Sequence, residues 1–460
     1  MITTIAQLSK KLHQLFTTTA ERIGEKSGYN LRPAQKWSPE ILFTTLVSIF
    51  LAKPEASLLT MCGVASLGGV VASRQGLDKR FNPRSVDFMQ AMLAETVKVS
   101  VGVLKASEQE ILNRFYQVII SDSTIINLPT ELAEQFKGTS REPDYAGFAA
   151  LKAHVGLDLL SGKLWGPFIG AGKVHDNAGA IDFNTLGAGS LVIRDLGFWD
   201  LASWKQRHSR GIYTLSRLKA GTAVFNQAGK RFDLLAQLQA QGRERVELSV
   251  TIGQDERIPV RVLATKVPDD VKLGRLNAHK IEEEDPGAAW HGWTILVTDV
   301  PEQRLTLLEA YVLYRLRWQI ELLFKRWKEI GLVDEWQTKN PSRILCEIYA
   351  KLIAALISHW ITVLSVWEAP ERSMVCALHL IQLQGLSIFL FLRDEKVLRS
   401  VLERLADALF ATARQGTRRS KPSSAQLLAN PELALPLRSP PLQKESVSPS
   451  HCDSTLSFVG

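Results

Sequence analysis

A buried strand is predicted for one apolar, β-branched segment, Gln117-Val-Ile-Ile-Ser-Asp-Ser-Thr-Ile-Ile-Asn-Leu-Pro129. Its only interruption is the polar centre around Asp122. An unpaired carboxylate inside such a strand is costly to desolvate, so Asp122 needs a partner. Backbone donors or the hydroxyls of Ser123 and Thr124 would satisfy it structurally. A bound cation is the functional alternative.

The residues that follow predict an α/β fold with a mixed sheet. Segments 147–160 and 164–170, separated by Ser161-Gly162, indicate a hairpin, and 177–186 indicates a helix. Two further strands are predicted at 191–194 and 211–217. Asp195 comes directly after a buried strand, the usual place for functional groups in an α/β sheet. A turn or cap role is its structural alternative.

The rest of the chain divides into five more regions. Residues 1–110 read as helical, with Asn82-Pro83 as an N-cap and a first-turn proline. Strands at 246–252, 258–267 and 293–297 make 219–298 a β-rich insertion. A long helix is predicted over 305–330, and 336–415 reads as further helices. The serine- and proline-rich stretch 416–460 predicts a disordered tail.

Composition restricts the class of protein but does not identify it. The 460 residues carry a net charge of +8, which permits a polyanionic partner without requiring one. Four scattered cysteines form no metal or disulfide pattern and suit a reducing cytoplasm. The apolar runs at 58–72, 352–367 and 378–392 are short or interrupted by polar residues. We expect buried helices there, and no membrane span.

The helix around Glu321 has an unusual distribution of charge. Helical periodicity places Tyr314, Arg317, Glu321 and Lys328 on one face. Between residues 314 and 328 there are five cations and a single acid, which resembles a phosphate-binding surface around a metal ligand. A solvated helix face with local ion pairs is the alternative. The tryptophans at 318 and 327 lie on the other faces and are predicted to be core residues.

Asp122, Asp195 and Glu321 together form a candidate metal site on two strands and a helix. Carboxylate oxygens are suitable ligands for Mg²⁺ or Mn²⁺. Two such ions, about 3.5–4 Å apart, can promote phosphodiester chemistry. His175, Asp176 and His291 could also approach a metal, although surface or core roles are the simpler interpretation for them.

The spacing Tyr-x2-Arg-x3-Glu-x6-Lys resembles the signature of the insertion-sequence-four family of bacterial DDE transposases, and residues 314–328 match every position. The segment around Asp122 is similar to the family's first acidic strand. The segment around Asp195 is similar to the second, although an arginine often follows the aspartate where Leu196 stands here. The insertion at 219–298 and the basic turn at 74–81 also resemble family features. The resemblance covers roughly residues 40–365.

The resemblance implies an RNase H-like, retroviral integrase-type core made of residues 111–218 and 299–335 and interrupted by the insertion. It also implies cut-and-paste transposition by a homodimer acting on double-stranded DNA, both terminal inverted repeats and target, in the bacterial nucleoid. Catalysis would use two Mg²⁺ ions, replaceable by Mn²⁺, held by Asp122, Asp195 and Glu321. The residues expected to contact DNA are Tyr314, Arg317, Lys325, Lys328, Arg74, Lys79, Arg80 and Trp293.

Two other functions fit parts of this pattern. An RNase H-like nuclease would cleave DNA without strand transfer. A catalytically silent descendant would only occupy transposon ends, and the intact set of three carboxylates argues against it.

Overall fold

The strand that contains Asp122 is part of a large mixed sheet in the computed structural model. The model describes residues 1–29, 36–104, 110–138, 148–174, 181–285, 287–369, 371–414 and 422–435. His175, Asp176 and the first part of the helix predicted at 177–186 lie outside these ranges. Within its described part, that segment contains only a 3₁₀ turn, Phe183–Thr185.

The N-terminal region consists mainly of helices in its described ranges. Asn82 caps α6 with its side chain, and Pro83 occupies the first turn, as predicted. The first two helices are joined by a π-helical turn, Leu15–Thr19. The helices are α1 (Ile5–Gln14), α2 (Ala20–Lys26), α3 (Pro39–Ala52), α4 (Leu58–Leu67), α5 (Arg74–Asp78), α6 (Pro83–Val97) and α7 (Glu110–Asn113).

Nine strands of the described chain form one sheet in the order β3-β2-β1-β4-β5-β9-β8-β7-β6. Strands β4 and β5 run parallel to β1, whereas the other neighbours pair antiparallel. The predicted hairpin is formed by β2 and β3. The strands are β1 (Val118–Leu128), β2 (Ala149–Asp158), β3 (Leu164–Ala171), β4 (Leu191–Arg194), β5 (Tyr213–Arg217), β6 (Val224–Phe225), β7 (Arg245–Ile252), β8 (Ile258–Lys266) and β9 (Trp293–Thr298).

The predicted insertion continues the same sheet, because β9 pairs with both β5 and β8. It also contains helices, so it is less purely β than its sequence indicates. Apolar side chains from β6–β9, α8 and α9 form a second hydrophobic core beside the main one. The helices between the strands are α8 (Leu201–Ser209), α9 (Leu234–Ala240), α10 (Asp269–His279) and α11 (Ala288–His291).

The long helix predicted over 305–330 is divided into two consecutive helices, α12 (Leu307–Leu316) and α13 (Trp318–Glu329). A capping box between Thr306 and Glu309 starts α12. The division falls at Arg317, whose amide donates to Tyr314 O at 3.2 Å, a tighter turn than the α-helical ladder. Hydrophobic periodicity continues across this break and does not reveal it.

Three long helices follow, as predicted: α14 (Pro341–Val366), α15 (Met374–Leu390) and α16 (Glu395–Thr412). By length and composition α14 could cross a membrane, but 89% of its most apolar window is buried within the protein. The α4 and α15 runs are only partly buried, since Leu59 and Leu383 are exposed. The expectation of buried helices is therefore correct for α14 and correct only in part for α4 and α15.

Part of the predicted disordered tail is ordered. Residues 422–435, which we call the C-terminal strap, contain α17 (Ser424–Ala429) and a 3₁₀ turn, Pro431–Ala434. Leu427 and Ala434 of the strap are buried in the main core. Serine and proline start its helical turns as caps, which is why their abundance gave a misleading prediction of disorder here.

Candidate active site

The two aspartates lie on neighbouring parallel strands. Asp122 is in the middle of β1, and Asp195 directly follows β4. The register pairs Ile120 with Ile193, so two residues further along each strand the aspartates are level with each other. Parallel pairing therefore brings together two acids that are 73 positions apart in the chain, 195 minus 122.

Glu321 reaches the same place from the first turn of α13, which packs against β1. The apolar face of α13, with Ile320, Leu323 and Trp327 buried, anchors the helix on the core. This packing leaves Glu321 partly exposed beside the two aspartates, with a side-chain exposure of 29%.

Arg317 stands among the three carboxylates. Its Nη2 lies 2.9 Å from Glu321 Oε1 and 4.0 Å from Asp195 Oδ2, and its Nη1 lies 3.8 Å from Asp122 Oδ2. Burial opposes its charge, but the neighbouring Asp195, Tyr314, Glu321 and Asp122 more than offset burial and raise the pKa of Arg317. The three acids predicted from sequence therefore converge on one cationic group.

Tyr314 completes this group of side chains. Its hydroxyl donates a hydrogen bond of 2.9 Å to Asp195 Oδ1 and so orients that carboxylate. Burial, reinforced by the negative charge of Asp195, raises the pKa of Tyr314. The phenol thus remains a hydrogen-bond donor at neutral pH.

Burial raises the pKa of Asp122 to about 6, although the Ser123 amide, a donor at 2.8 Å, and Arg317 both act in the opposite direction. The nearby Glu321 and Asp195 charges contribute to the increase. Near neutral pH this carboxylate is therefore unusually close to protonation, chiefly because burial disfavours its charged form.

This raised pKa predicts that Asp122→Asn stabilises the metal-free protein at neutral pH. Protonated Asp122 favours the folded state, and that contribution is complete below about pH 4 and lost as pH rises through about 6. In EDTA, we expect the advantage of the variant in unfolding free energy to grow between pH 4 and 7, up to about 3 kcal/mol. Denaturant titration at several pH values measures it, with the exposed Asp270→Asn as control. A pH-independent difference would contradict the expectation.

The donor set suits a hard cation, because three carboxylates already surround one positive group. Within the described ranges, no three acidic, histidine or cysteine side chains are close enough together to hold an ion as they stand. Arg317 stands between the acids instead, 2.9 Å from Glu321, 3.8 Å from Asp122 and 4.0 Å from Asp195. A cation bound here competes with this guanidinium for the same oxygens.

The two lysines of the signature helix that are predicted to bind phosphate make different contacts. Lys328 Nζ donates to Ile125 O of β1 at 2.8 Å and lies 3.6 Å from Asp334 Oδ2. Lys325 is exposed and pairs with Glu329 at 3.6 Å. Only Lys328 is attached to the strand that carries Asp122.

The basic turn of the N-terminal region is placed at α5 and the residues after it. Arg74 and Lys79 are exposed there, and Arg80 is half-buried. No contact between described residues joins these three side chains to the carboxylates.

Two tryptophans lie where the sequence did not predict them. Trp293 is 6% exposed and packs in the core of the insertion, which leaves it little surface with which to make the predicted contact with DNA. Trp318 was predicted to be a core residue but is 55% exposed, because α13 begins at this residue and turns it outwards. Trp327 is buried as predicted.

Sequence reasoning missed Arg217, the last residue of β5. The register pairs Ser216 with Arg194, so Arg217 is level with Asp195 on the neighbouring strand. Its positive charge acts on Tyr314, whose pKa it lowers slightly against the larger effects of burial and Asp195. A basic residue at the end of the next parallel strand was the signal that could have identified it.

The geometry of this site agrees with the protein family and the relatives that the sequence resembles. Residues 113–357, more than half of the chain, match the family described as "Transposase DDE domain". The chain belongs to the DDE transposase family. The matched residues include Asp122, Asp195 and Glu321.

Curated relatives match most of this DDE transposase. The transposase for insertion sequence element IS231C of Bacillus thuringiensis subsp. berliner is 27% identical over 377 residues, 76% of this chain and 78% of the relative. The IS231F transposase of Bacillus thuringiensis subsp. israelensis is 28% identical over 70% of this chain and 73% of its own length. The IS1151 transposase of Clostridium perfringens is 26% identical over 65% and 69%, respectively. The protein is a DNA-cleaving transposase of an insertion sequence.

Proposed function

We propose that this transposase carries the insertion-sequence-four signature and moves its element by cut-and-paste transposition. The observation that supports this most directly is the convergence of Asp122, Asp195 and Glu321 on Arg317. The signature residues Tyr314 and Arg317 both contact the acids, which gives the spacing of the motif a physical meaning.

The proposed core is RNase H-like and comprises residues 111–218 and 299–335. Its support is the strand order β3-β2-β1-β4-β5, with an antiparallel meander followed by two strands parallel to β1. The proposed insertion, residues 219–298, extends the far side of that sheet. The proposed helical regions are 1–110 for DNA binding and 336–415 at the C-terminal side.

Asp122, Asp195 and Glu321 are the residues that would hold two Mg²⁺ ions, or Mn²⁺ in their place. When bound, such ions activate the attacking hydroxyl and stabilise the leaving oxygen of a phosphodiester. The hydrogen bond from Tyr314 holds the Asp195 carboxylate in a fixed orientation. The two strands and α13 fix the positions of all three acids before substrate arrives.

The basic side chains of the signature would hold DNA phosphates beside the acids. Arg317 presents a bidentate fork, and Lys328 a point charge. Lys325 adds an exposed cation on the same helix. Arg74, Lys79 and Arg80 would contact DNA away from the acids, where the N-terminal helices would recognise terminal inverted repeats.

Two ends must be held together for strand transfer, so we propose a homodimer that binds both transposon ends and then target DNA. The scattered cysteines fit an enzyme that works in a reducing cytoplasm on nucleoid DNA.

Strand transfer with precut ends tests the proposed reaction. The protein is incubated with a cleaved-end duplex, supercoiled target DNA and Mg²⁺, and joined products are measured. Joining supports transposition. Cleavage of uncut ends without joining would favour the simple nuclease, and end binding without either reaction would favour the silent DNA-binding protein.

The proposed phosphate contact of Lys328 predicts a change in the salt dependence of DNA binding. Each phosphate contact adds about −0.9 to the slope of log affinity against log salt, so Lys328→Ala should flatten the slope by about one unit. Binding to a cleaved-end duplex at several salt concentrations measures it. Lys328 is a better probe than Arg317, whose removal also changes the acid site.

The exposed Lys396→Ala on α16 is the matched control and should leave the slope unchanged. The alternative is that Lys328 only ties α13 to Ile125 O. An unaltered slope together with a lower melting temperature would show that structural role and contradict the phosphate contact.

A further inference from the structure

A cavity lies behind α13, on the face opposite the carboxylates. Its empty space, including the mouth, is about 810 Å³. Side chains from α3, β2, α13, α14 and α15 surround it, and most of them are apolar. Those contributed by α13 are Gln319, Leu323, Arg326 and Trp327, and Ile330 follows directly after the helix.

Arg326 is the unusual group in this lining. It is half-buried, and across the described ranges no hydrogen bond or ion pair joins its guanidinium to another residue. Burial lowers the pKa of Arg326 to about 10, so the side chain is still charged at neutral pH. An uncompensated charge in such surroundings is costly, and native proteins usually provide a partner.

The other two basic groups of the cavity have hydrogen-bond partners within the protein. Lys351 Nζ donates to Leu332 O at 2.9 Å and to Glu335 O at 2.6 Å. Burial lowers the pKa of His359 to about 4, so its ring is neutral and donates from Nε2 to Gly162 O at 2.7 Å. Among the described residues of the lining, Arg326 is therefore the basic group whose side chain has neither a hydrogen-bond nor an ion-pair partner.

We propose that this cavity binds a small organic monoanion, a carboxylate attached to an apolar or aromatic group, with Arg326 as its ion-pair partner. A carboxylate matches the planar fork of a guanidinium in both shape and charge. Trp327, Trp367, Met374 and Leu378 offer an apolar surface to the rest of such a ligand. A dianion would leave one negative charge unmatched.

Isothermal titration calorimetry of the full chain with benzoate and hexanoate tests the site. Benzamide and inorganic phosphate serve as a neutral and a dianionic comparison. We expect saturable 1:1 binding of a carboxylate and weaker binding of both comparisons. Arg326→Gln should weaken carboxylate binding about tenfold or more, because it removes a charge-assisted hydrogen bond. Arg399→Gln, an exposed position on α16, is the matched control and should bind like the parent.

A second variant keeps the charge and removes the space. Ala355→Leu extends a side chain into the cavity and should also reduce binding while Arg326 stays in place. Without ligand, Arg326→Gln should raise the melting temperature, because it removes a half-buried charge that has no partner among the described residues. Equal binding by Arg326→Gln, or tighter binding of phosphate than of either carboxylate, would overturn the proposal. So would a wild type that binds no probe while Arg326→Gln lowers the melting temperature, which indicates a partner for Arg326 within the chain.

Discussion

Glu321→Gln is expected to reduce DNA cleavage and strand transfer at least about 1,000-fold while leaving binding to transposon-end DNA nearly intact. Gln keeps the shape of the side chain but removes a charged metal ligand. Metal ions contribute several kcal/mol to such chemistry, and each 1.4 kcal/mol or so corresponds to about tenfold in rate. Single-turnover cleavage in Mg²⁺ and a gel-shift titration measure the two properties separately.

Glu329→Gln is the matched control, since it makes the same chemical change two turns along the same helix. Glu329 is exposed and contacts only Lys325 among the described ion pairs, so its variant should cleave normally. Asp122→Asn and Asp195→Asn should behave like Glu321→Gln. Near-normal cleavage by any one of these three variants in Mg²⁺ would remove that residue from the proposed metal site.

The acids could be predicted because each stands out from a strong local pattern. Asp122 interrupts a buried strand, Asp195 ends another, and Glu321 is the single acid among five cations. Their convergence depends on strand pairing that is not local, yet an α/β order with parallel strands leaves few arrangements. The structure places all three acids around Arg317. The resemblance implied that the three acids act together, but not that Arg317 lies among them.

The features that the sequence did not predict have no distinct local pattern. The break at Arg317 follows from one tightened turn within an unbroken apolar periodicity. Trp318 directly follows the break, at the start of α13, and is exposed. The sequence around Trp293 does not distinguish a core tryptophan from one that stacks on a base. The serine- and proline-rich composition of residues 416–460 as a whole likewise gave no indication of the short ordered strap within them.

The C-terminal strap joins the back of the signature helices to the insertion. Arg315 Nη1 of α12 donates to Leu433 O at 2.6 Å, and Gln319 Nε2 of α13 donates to Ser424 Oγ at 2.6 Å. Glu432 pairs with Arg245 at the start of β7, 2.9 Å away. The strap thus contacts both helices that carry the signature, on the side away from the carboxylates.

These contacts predict that two truncations differ sharply. Removal of residues 436–460 should leave the free energy of unfolding unchanged, because the strap remains in place. Removal of 422–460 also exposes the core surface that Leu427 and Ala434 cover, and it should destabilise the protein by about 2–5 kcal/mol. Leu427→Ala in the full chain should reproduce much of that loss, since Leu427 is 5% exposed. Denaturant unfolding of the four proteins measures the differences. If both truncated proteins were as stable as the full chain, the strap would contribute nothing to the fold. If both were less stable than the full chain by the same amount, the stabilising contacts would lie beyond residue 435.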